Sequence, residues 1–360
     1  MYRSEASKLT GRKRSRFGEA TAFDEGLYNL GHGVYAWMVP NGSWGENNSG
    51  LVLGDGESLL LDTQWDVPCT AEMLDAMRPL TREAPIKHLV ITHADGDHSW
   101  GCALAREAEV VMSAAADSES RELKPTSMTL MSGVTGALTR AGWGNVKKAC
   151  HYLHGMTAPY DFKGAVAASA TTTFQKRTTI EVGGRALHLI EAGPAHTRGD
   201  VIVHIPDAGV VFCGDIVFNG STPVLWAGPL ENWVSSLTKM LELDAETFVP
   251  GHGPICGREG VLKMKEYWEY IGRELRKYHE AGMSARDAAC DIALGQEFAE
   301  SEYARWDSPE RIMTSAHVTY RHLEGRGGHL KPAEKVLILW KQGLLASDMP
   351  GAAPASMHRP

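Results

Sequence analysis

Short apolar runs that end at a turn residue or a polar side chain recur along the first two thirds of the chain. Runs of this kind, bounded by glycine, aspartate or histidine, are typical of buried β-strands. Asp55-Gly56 and Gly183-Gly184 each stand between two such runs and predict hairpin turns. The predicted strands span residues 33–39, 49–54, 58–62, 88–92, 109–113, 178–182, 185–190, 200–205, 209–213 and 247–249.

Apolar residues spaced three or four positions apart predict helices between and after these strands. The character of the chain changes after residue 257, where four successive segments carry the helical period. The predicted helices span residues 67–77, 100–108, 115–123, 128–141, 232–243, 259–281, 284–294, 308–323 and 333–345.

These patterns divide the chain into a flexible arm over residues 1–26, a strand-rich domain over 27–260, a helical extension over 261–348 and a disordered tail over 349–360. A helical insert interrupts the strand-rich domain at about residues 114–173. Long inserts are usually functional lids or disordered segments, and the aromatic residues of this one favour an ordered lid. Two sets of strands with helices outside them predict an α/β fold built as a two-sheet sandwich.

Composition narrows the classes of function. The chain has 360 residues, of which 43% are hydrophobic and 22% charged, as expected of a globular protein with a large core. A net charge of −8 argues against nucleic acid or an anionic membrane as a partner. Because no apolar run of 18 residues and no signal-like N-terminal segment is visible, a cytoplasmic location is expected.

Candidate metal ligands follow four of the predicted strands. Residues 93–98, with the sequence HADGDH, hold four potential ligands directly after the strand at 88–92. His196, Asp215 and His252 each stand just beyond a further strand. Strand ends hold side chains rigidly and turns let them converge, so the pattern predicts a metal site at one edge of a sheet. Imidazole and carboxylate ligands suit zinc, and also iron or manganese.

With these motifs the chain resembles the metallo-β-lactamase superfamily of hydrolases, whose pattern is HxHxDH followed by H, D and H. The resemblance covers roughly residues 27–260 and implies an αββα four-layer sandwich, here with a helical insert and a helical C-terminal extension. One position departs from the pattern, because Asp95 stands where most members have a second histidine.

The resemblance also implies the arrangement of ligands. One ion would take His93, Asp95 and His196, a second would take Asp97, His98 and His252, and Asp215 would bridge them. Zinc is the expected metal, with one or two ions per chain. The carboxylate of Asp95 makes the first site harder, which keeps iron and manganese open.

Two further carboxylates have expected roles of their own. If only one ion binds, Asp97 is the candidate catalytic residue that orients the attacking water or accepts its proton. Asp62, at another strand end, is interpreted as a carboxylate that supports the ligands or a turn, and not as a ligand itself.

The expected function is hydrolysis of a small organic substrate, with an ester, lactone, thioester or amide bond, by a metal-bound hydroxide. A hydrolytic dehalogenase of chlorinated aromatics and a non-catalytic metal-binding protein on the same fold are the alternatives. Aromatic walls suit apolar substrates, although aromatic residues also fill cores. The helical extension is a candidate surface for a homo-oligomer. The candidate substrate residues are Trp100, Trp143, Tyr160 and Trp226.

Overall fold

Two β-sheets form the centre of the computed structural model, which describes residues 7–12, 21, 23–40, 44–122 and 124–349. The larger sheet has eight strands in sequence order, antiparallel from the first to the fifth and parallel from there on. Its strands are β1 (Ser7–Arg12), β2 (Glu25–Gly31), β3 (Val34–Met38), β4 (Ser49–Leu53), β5 (Ser58–Leu61), β6 (Ile86–Val90), β7 (Glu109–Ser113) and β8 (Thr172–Phe174).

The smaller sheet has five strands in the order β13-β12-β11-β10-β9. All neighbours are antiparallel except β12 and β13, which run parallel. Its strands are β9 (Arg177–Val182), β10 (Arg185–Glu191), β11 (Val201–Ile205), β12 (Val210–Phe218) and β13 (Thr247–His252).

Alternating apolar side chains explain why the two sheets pack face to face. Leu59 and Leu61 of β5 point into the core between the sheets, while Leu60 between them points to the outer face. Leu189 and Val203 approach the same core from the smaller sheet and are fully buried. The interior is therefore a sandwich core to which both sheets contribute.

Helices cover both outer faces and complete four layers. Helix α1 buries Met73 and Met77 against the larger sheet, and Trp233 and Trp268 pack α6 and α7 over the smaller one. The helices are α1 (Val67–Thr81), α2 (Gly96–Ser99), α3 (Ala114–Ser120), α4 (Pro125–Ala141), α5 (Gly144–Thr157), α6 (Leu230–Leu241), α7 (Arg258–Glu280), α8 (Ala285–Leu294), α9 (Gln296–Glu300), α10 (Ile312–Leu323) and α11 (Pro332–Ser347).

The predicted four-layer fold with a helical insert and a helical extension is confirmed. Other details differ. Ser7–Arg12 is a strand paired with β2, so the prediction of a flexible arm is wrong for these residues. The helix predicted at 100–108 is replaced by α2 and a short 3₁₀ turn. Helix α5 was not predicted, because its glycine start and lysine pair obscure the apolar period. Of the disordered tail predicted at 349–360, residues 350–360 lie outside the described residues, and Met349 is buried.

A buried polar network joins the insert to the extension. The hydroxyl of Tyr152 in α5 donates to Glu310 at 3.0 Å and accepts from the amide of Gln342 in α11 at 2.6 Å. The indole of Trp44 donates to the same hydroxyl, and Thr314 donates to Gln342. Because buried polar groups need partners, this network fixes the insert and α11 against each other.

Asn48 fastens the two sheets at one edge. Its side-chain amide donates to the carbonyls of Pro250 and Gly253, and its backbone N–H donates to Gly251. Its side-chain oxygen accepts from Val39 at the end of β3. The loop before β4 is thereby held against the end of β13, at the edge where the candidate ligands lie.

Within the described ranges, none of the helices combines the length and apolar character that a membrane span requires.

Replacing Leu189 by alanine should lower the free energy of unfolding by about 2–5 kcal/mol, because the site lies in the inter-sheet core and leaves a cavity. Urea unfolding followed by circular dichroism measures the change. Leu294→Ala is the matched control, since that side chain is 52% exposed and should change stability by no more than about 0.5 kcal/mol. Equal effects of the two changes would contradict the assignment of the core.

Candidate metal centre

The seven predicted ligands converge at the edge of the sandwich that Asn48 fastens. His93 follows β6, and α2 begins directly after Asp95 and carries Asp97 and His98. His196 lies in the loop between β10 and β11. Asp215 and His252 lie within β12 and β13, so the prediction that these two stand beyond their strands is wrong.

Glycine makes the close approach of β12 and β13 possible. Gly214 has a φ of +50°, and the register of the two strands shifts on both sides of it, so the strand turns before Asp215. A Cβ atom on Gly251 would stand 2.0 Å from Oδ1 of Asp215. Any larger residue there would displace the carboxylate at the centre.

The donor atoms form two groups of three that could each hold an ion, with all atoms in a group within 4.8 Å of one another. The first group is His93, His196 and Asp215, and the second is Asp97, His98 and His252.

Asp215 stands between these groups. Its Oδ1 lies 3.1 Å from Nε2 of His98, and its Oδ2 lies 3.1 Å from His252 and 3.3 Å from His196. This position suits a carboxylate shared by two ions.

Asp95 borders the first group on its more open side. Its Oδ2 lies 3.1 Å from Nε2 of His196, and its side chain is 33% exposed. Asp97 is 17% exposed, while the side chains of the other five ligands are at most 8% exposed. A substrate therefore reaches the centre from the side of Asp95 and Asp97.

Every histidine of the centre is oriented through its outer nitrogen. Nδ1 of His196 donates to the carbonyl of Val224 at 2.7 Å, and Nδ1 of His252 donates to the carbonyl of Glu46 at 2.9 Å. Because a carbonyl only accepts, these bonds fix the tautomer and leave the lone pair of Nε2 facing inward.

Asp62 orients the other two histidines. Its Oδ2 accepts from Nδ1 of His98 at 2.9 Å and from the hydroxyl of Thr92 at 2.7 Å, while its Oδ1 accepts from the Thr92 backbone. The Thr92 hydroxyl, having donated to Asp62, accepts from Nδ1 of His93 at 3.0 Å. The interpretation of Asp62 as a supporting carboxylate is confirmed.

Burial and neighbouring imidazoles shift the pKa values of the three carboxyl groups in different directions. Burial alone would raise the pKa of Asp215, but His252, His98 and the other two imidazoles hold that pKa well below its usual range. Burial likewise opposes ionisation of Asp95, and His196 nevertheless lowers its pKa. Burial raises the pKa of Asp97.

Two observations show that the residues fit a metal ion. Among the described residues, no lysine or arginine forms an ion pair with Asp95, Asp97 or Asp215. Nε2 of His93 is buried without a hydrogen-bond partner there, as expected of a nitrogen that coordinates an ion. Buried carboxylates need a neighbouring positive charge. Because no lysine or arginine of the described residues pairs with these three, a bound metal ion would supply that charge.

Two of the four candidate substrate residues contact segments that carry ligands. The backbone N–H of Trp226 donates to the carbonyl of His196 at 2.9 Å, and the ring of Trp100 packs against Gly96, between Asp95 and Asp97. Trp100 and Tyr160 form a buried cluster with Trp65 and Phe162. Trp143 lies at the turn between α4 and α5 with 84% of its surface exposed, and the structure does not bring it to the ligands.

Sequence reasoning missed several parts of the site. Val224 and Glu46 act through backbone carbonyls, for which the residue type gives no signal. Trp44, whose ring lies 6.3 Å from that of Trp226, was also missed. The polar, glycine-containing segment around Trp44 indicates a loop, and the large apolar side chain of Trp44 within it was the available sign of a packing contact.

A cavity of about 450 Å³ lies in the helical extension, between α10 and α11. None of the seven ligands lines it. The candidate functional site is therefore identified by its metal-ligating side chains, and not by the presence of this cavity.

Comparison with known proteins agrees with this geometry. Residues 42–252, more than half of the chain, match the family model of the metallo-beta-lactamase superfamily. Hydroxyacylglutathione hydrolase from Synechococcus sp. (strain JA-3-3Ab) is 28% identical over 153 residues, which are 41% of this chain and 58% of that protein. The 2,4-dinitroanisole O-demethylase subunit alpha from Nocardioides sp. (strain JS1661) is 26% identical over 146 residues, 39% of this chain and 41% of that protein.

Among solved structures, the stereoselective inverting sec-alkylsulfatase from Pseudomonas sp. superimposes with a TM-score of 0.60 at 14% identity. The match covers 89% of this chain and 58% of the sulfatase, and at this identity it shows the fold alone. The chain thus spans less than two thirds of the length of each of these three proteins.

Replacing Asp62 by asparagine should lower metal affinity about 10- to 100-fold, because an amide has one acceptor oxygen where the carboxylate uses two. Oδ2 accepts from His98 and the Thr92 hydroxyl, and Oδ1 accepts from the Thr92 backbone N–H. The near-isosteric change keeps the fold, which thermal melting verifies. Competition with a chromogenic chelator measures the affinity. Asp75→Asn, at an exposed carboxylate on α1, is the control and should bind metal as the unmodified protein does. Unchanged affinity in Asp62→Asn would show that these hydrogen bonds do not orient the ligands.

Proposed function

The chain belongs to the metallo-β-lactamase superfamily, and from this membership we propose that it is a metal-dependent hydrolase of a small organic substrate. The observation that carries the proposal is the pair of three-ligand groups around Asp215. Three protein ligands per ion leave a coordination position open, which is the mark of catalytic rather than structural zinc sites.

The residues present suit one or two zinc ions. His93, His196 and Asp215 would hold one ion, and Asp97, His98 and His252 the other. Asp95, 3.1 Å from Nε2 of His196, is the proposed additional ligand of the first ion. A bound ion of this kind lowers the pKa of water from 15.7 to about 7 and polarises a carbonyl oxygen. The extra carboxylate of Asp95 keeps iron and manganese as alternatives.

The chain's own residues orient the reaction. Oδ2 of Asp97 lies 3.6 Å from Nε2 of His252 on the exposed side of the centre, where it can accept a proton from water or hold that water in position. Asp62, Thr92 and two backbone carbonyls accept hydrogen bonds from the Nδ1 atoms of the four histidines. The positions of the Nε2 atoms are therefore set before a substrate binds. The rings of Trp226 and Trp44 lie 6.3 Å apart, and the backbone of Trp226 is bonded to that of His196, so the proposed apolar contacts of a substrate are with this pair.

An ester, lactone, thioester or amide is the proposed scissile bond. The similarity to hydroxyacylglutathione hydrolase favours acyl derivatives of thiols among these. A second candidate is removal of a substituent from an activated aromatic ring, favoured by the two tryptophans and by the similarity to the 2,4-dinitroanisole O-demethylase subunit. This class includes the displacement of chloride from a chlorinated aromatic.

Purified protein should contain one to two transition-metal ions per chain and should hydrolyse at least one model substrate only when loaded with metal. Elemental analysis after gel filtration measures the content. The substrate panel consists of 4-nitrophenyl acetate, a γ-lactone, a hydroxyacylglutathione, 2,4-dinitroanisole and a chlorinated nitroaromatic. Full activity after removal of metal by chelation would refute the proposal. A loaded protein inactive on all five would favour a non-catalytic metal-binding role.

Replacing Asp95 by histidine should raise zinc occupancy of the first group, because imidazole is the softer ligand. Turnover should fall, because the position of the attacking water is set by the carboxylate. Zinc titration measures the occupancy, and the turnover rate of the metal-loaded protein measures the second effect. Asp95→Ala is the control, because it removes the carboxylate altogether. If neither zinc content nor rate moves in either variant, Asp95 is not a ligand.

A further inference from the structure

The cavity of about 450 Å³ in the helical extension has the size of a small-molecule pocket, which is roughly 300–1,000 Å³. Facing stripes of two helices form its main walls. Glu334, Ile338 and Lys341 lie on one face of α11, because residues three and four positions apart share a helix face. Residues 317, 320, 321 and 324 do the same on α10, and the turn at 282–285 forms a third side.

Most of the charged side chains that line the cavity are paired with one another. Arg321 donates to Glu334 at 2.9 Å, and Arg326 pairs with Glu324. Lys341 also lines the cavity, and among the described residues it has no carboxylate partner. Since the charges of the two arginines and the two glutamates cancel, Lys341 leaves the lining with an excess of positive charge.

Lys341 is bonded to an imidazole instead. Its ammonium lies 3.3 Å from Nε2 of His317, and both side chains are half-buried. Because an ammonium only donates, Nε2 accepts and the ring proton stays on Nδ1. Burial, together with Lys341 and Arg326, lowers the pKa of His317 to about 4, so the ring is neutral at neutral pH. A half-buried ammonium beside a neutral ring lacks the counter-charge that a buried cation needs.

Apolar side chains line much of the remaining surface of the cavity. Leu330 and Ile338 are buried, and Met283 and the ring of Tyr320 add to the same lining. Leu337 lines the cavity as well but is 56% exposed, so a large apolar side chain remains open to solvent there. A ligand with an apolar part would remove this surface from water.

The cavity is separate from the metal centre. Its lining residues fall between positions 279 and 341, beyond residue 252, where the match with the family model ends. On α11, Gln342 is bonded to Tyr152 of the insert, whereas Lys341 is bonded to His317 of α10. Different faces of this helix therefore serve the insert and the cavity.

We propose that this cavity binds a small organic carboxylate with an apolar chain or ring, as a ligand distinct from the substrate of the metal centre. The carboxylate accepts from the ammonium of Lys341, and the apolar part packs on Ile338 and Leu337. A single negative charge matches the excess positive charge, whereas a phosphate dianion would add further negative charge beside Glu324 and Glu334. The inference does not depend on the proposed hydrolase function.

Calorimetric titration of the metal-loaded full chain with 4-phenylbutanoate, and with the neutral 4-phenylbutan-1-ol, tests the site. The unmodified protein should bind the carboxylate roughly tenfold more tightly than the alcohol, because only the carboxylate carries a charge that Lys341 can meet. In Lys341→Met this preference should disappear, with binding of the alcohol unchanged. Lys341→Arg should keep most of the preference, since the positive charge remains.

Lys265→Met is the matched control for the loss of a lysine. This side chain of α7 is also half-buried, but it pairs with Glu269 and does not line the cavity. The variant should bind both ligands as the unmodified protein does, and thermal melting verifies that each variant is folded.

Two neighbours on α11 provide a second matched pair. Leu337 lines the cavity and Val336 does not, although they are 56% and 55% exposed. Leu337→Asp should weaken binding of the carboxylate roughly tenfold, because it removes an apolar contact and adds a like charge. Val336→Asp adds the same charge outside the lining and should change the affinity little.

Equal carboxylate affinities in Lys341→Met and Lys265→Met would overturn the proposal, and a carboxylate bound at the metal ions would give that result. Equal effects of the two aspartate substitutions, or no binding of the carboxylate by the unmodified protein, would overturn it as well. Tighter binding of inorganic phosphate than of 4-phenylbutanoate would refute the proposed ligand class. The site stands if the carboxylate affinity falls in Lys341→Met and Leu337→Asp alone, whether or not the chain hydrolyses any ester.

Discussion

The carboxylate of Asp215 is the group around which the rest of the centre is arranged. It is buried, and imidazoles from three different segments lie within 3.3 Å of its oxygens. A carboxylate in such surroundings is tolerable only when positive charge meets it on several sides. The turn at Gly214, the absence of a side chain at Gly251 and the bonds of Asn48 between the sheets all bring those imidazoles to it.

The need to place imidazoles around Asp215 also explains the hydrogen-bond acceptors on the outer side of the four histidines. Each histidine can present Nε2 to the centre only if its other nitrogen is satisfied outside, and four different acceptors do this. Asp62 serves two histidines at once, directly for His98 and through Thr92 for His93. The geometry of one group is thereby tied to that of the other, as suits a centre whose ligands act together.

The sequence predicted the centre far better than its surroundings, and the reason is physical. Histidine and aspartate near the ends of apolar strands carry their chemistry in their residue type, so six of the seven predicted ligands, all except Asp95, recur in the two three-residue groups of the structure. The carbonyls of Val224 and Glu46 carry no such signal, and an aromatic residue is equally at home in a core or at an entrance. Trp100, Tyr160 and Trp226 all lie in buried clusters, and only the packing shows this.

The hydrogen bonds of Tyr152 make the insert and the extension a single structural unit. Its hydroxyl, in the insert, meets Glu310 and Gln342 of the extension in a region closed to water. A lineage that gained or lost one of these segments alone would have left buried polar groups facing nothing. Recombination between relatives is therefore constrained to exchange both together, and a chimera designed within the family must cross over outside the pair.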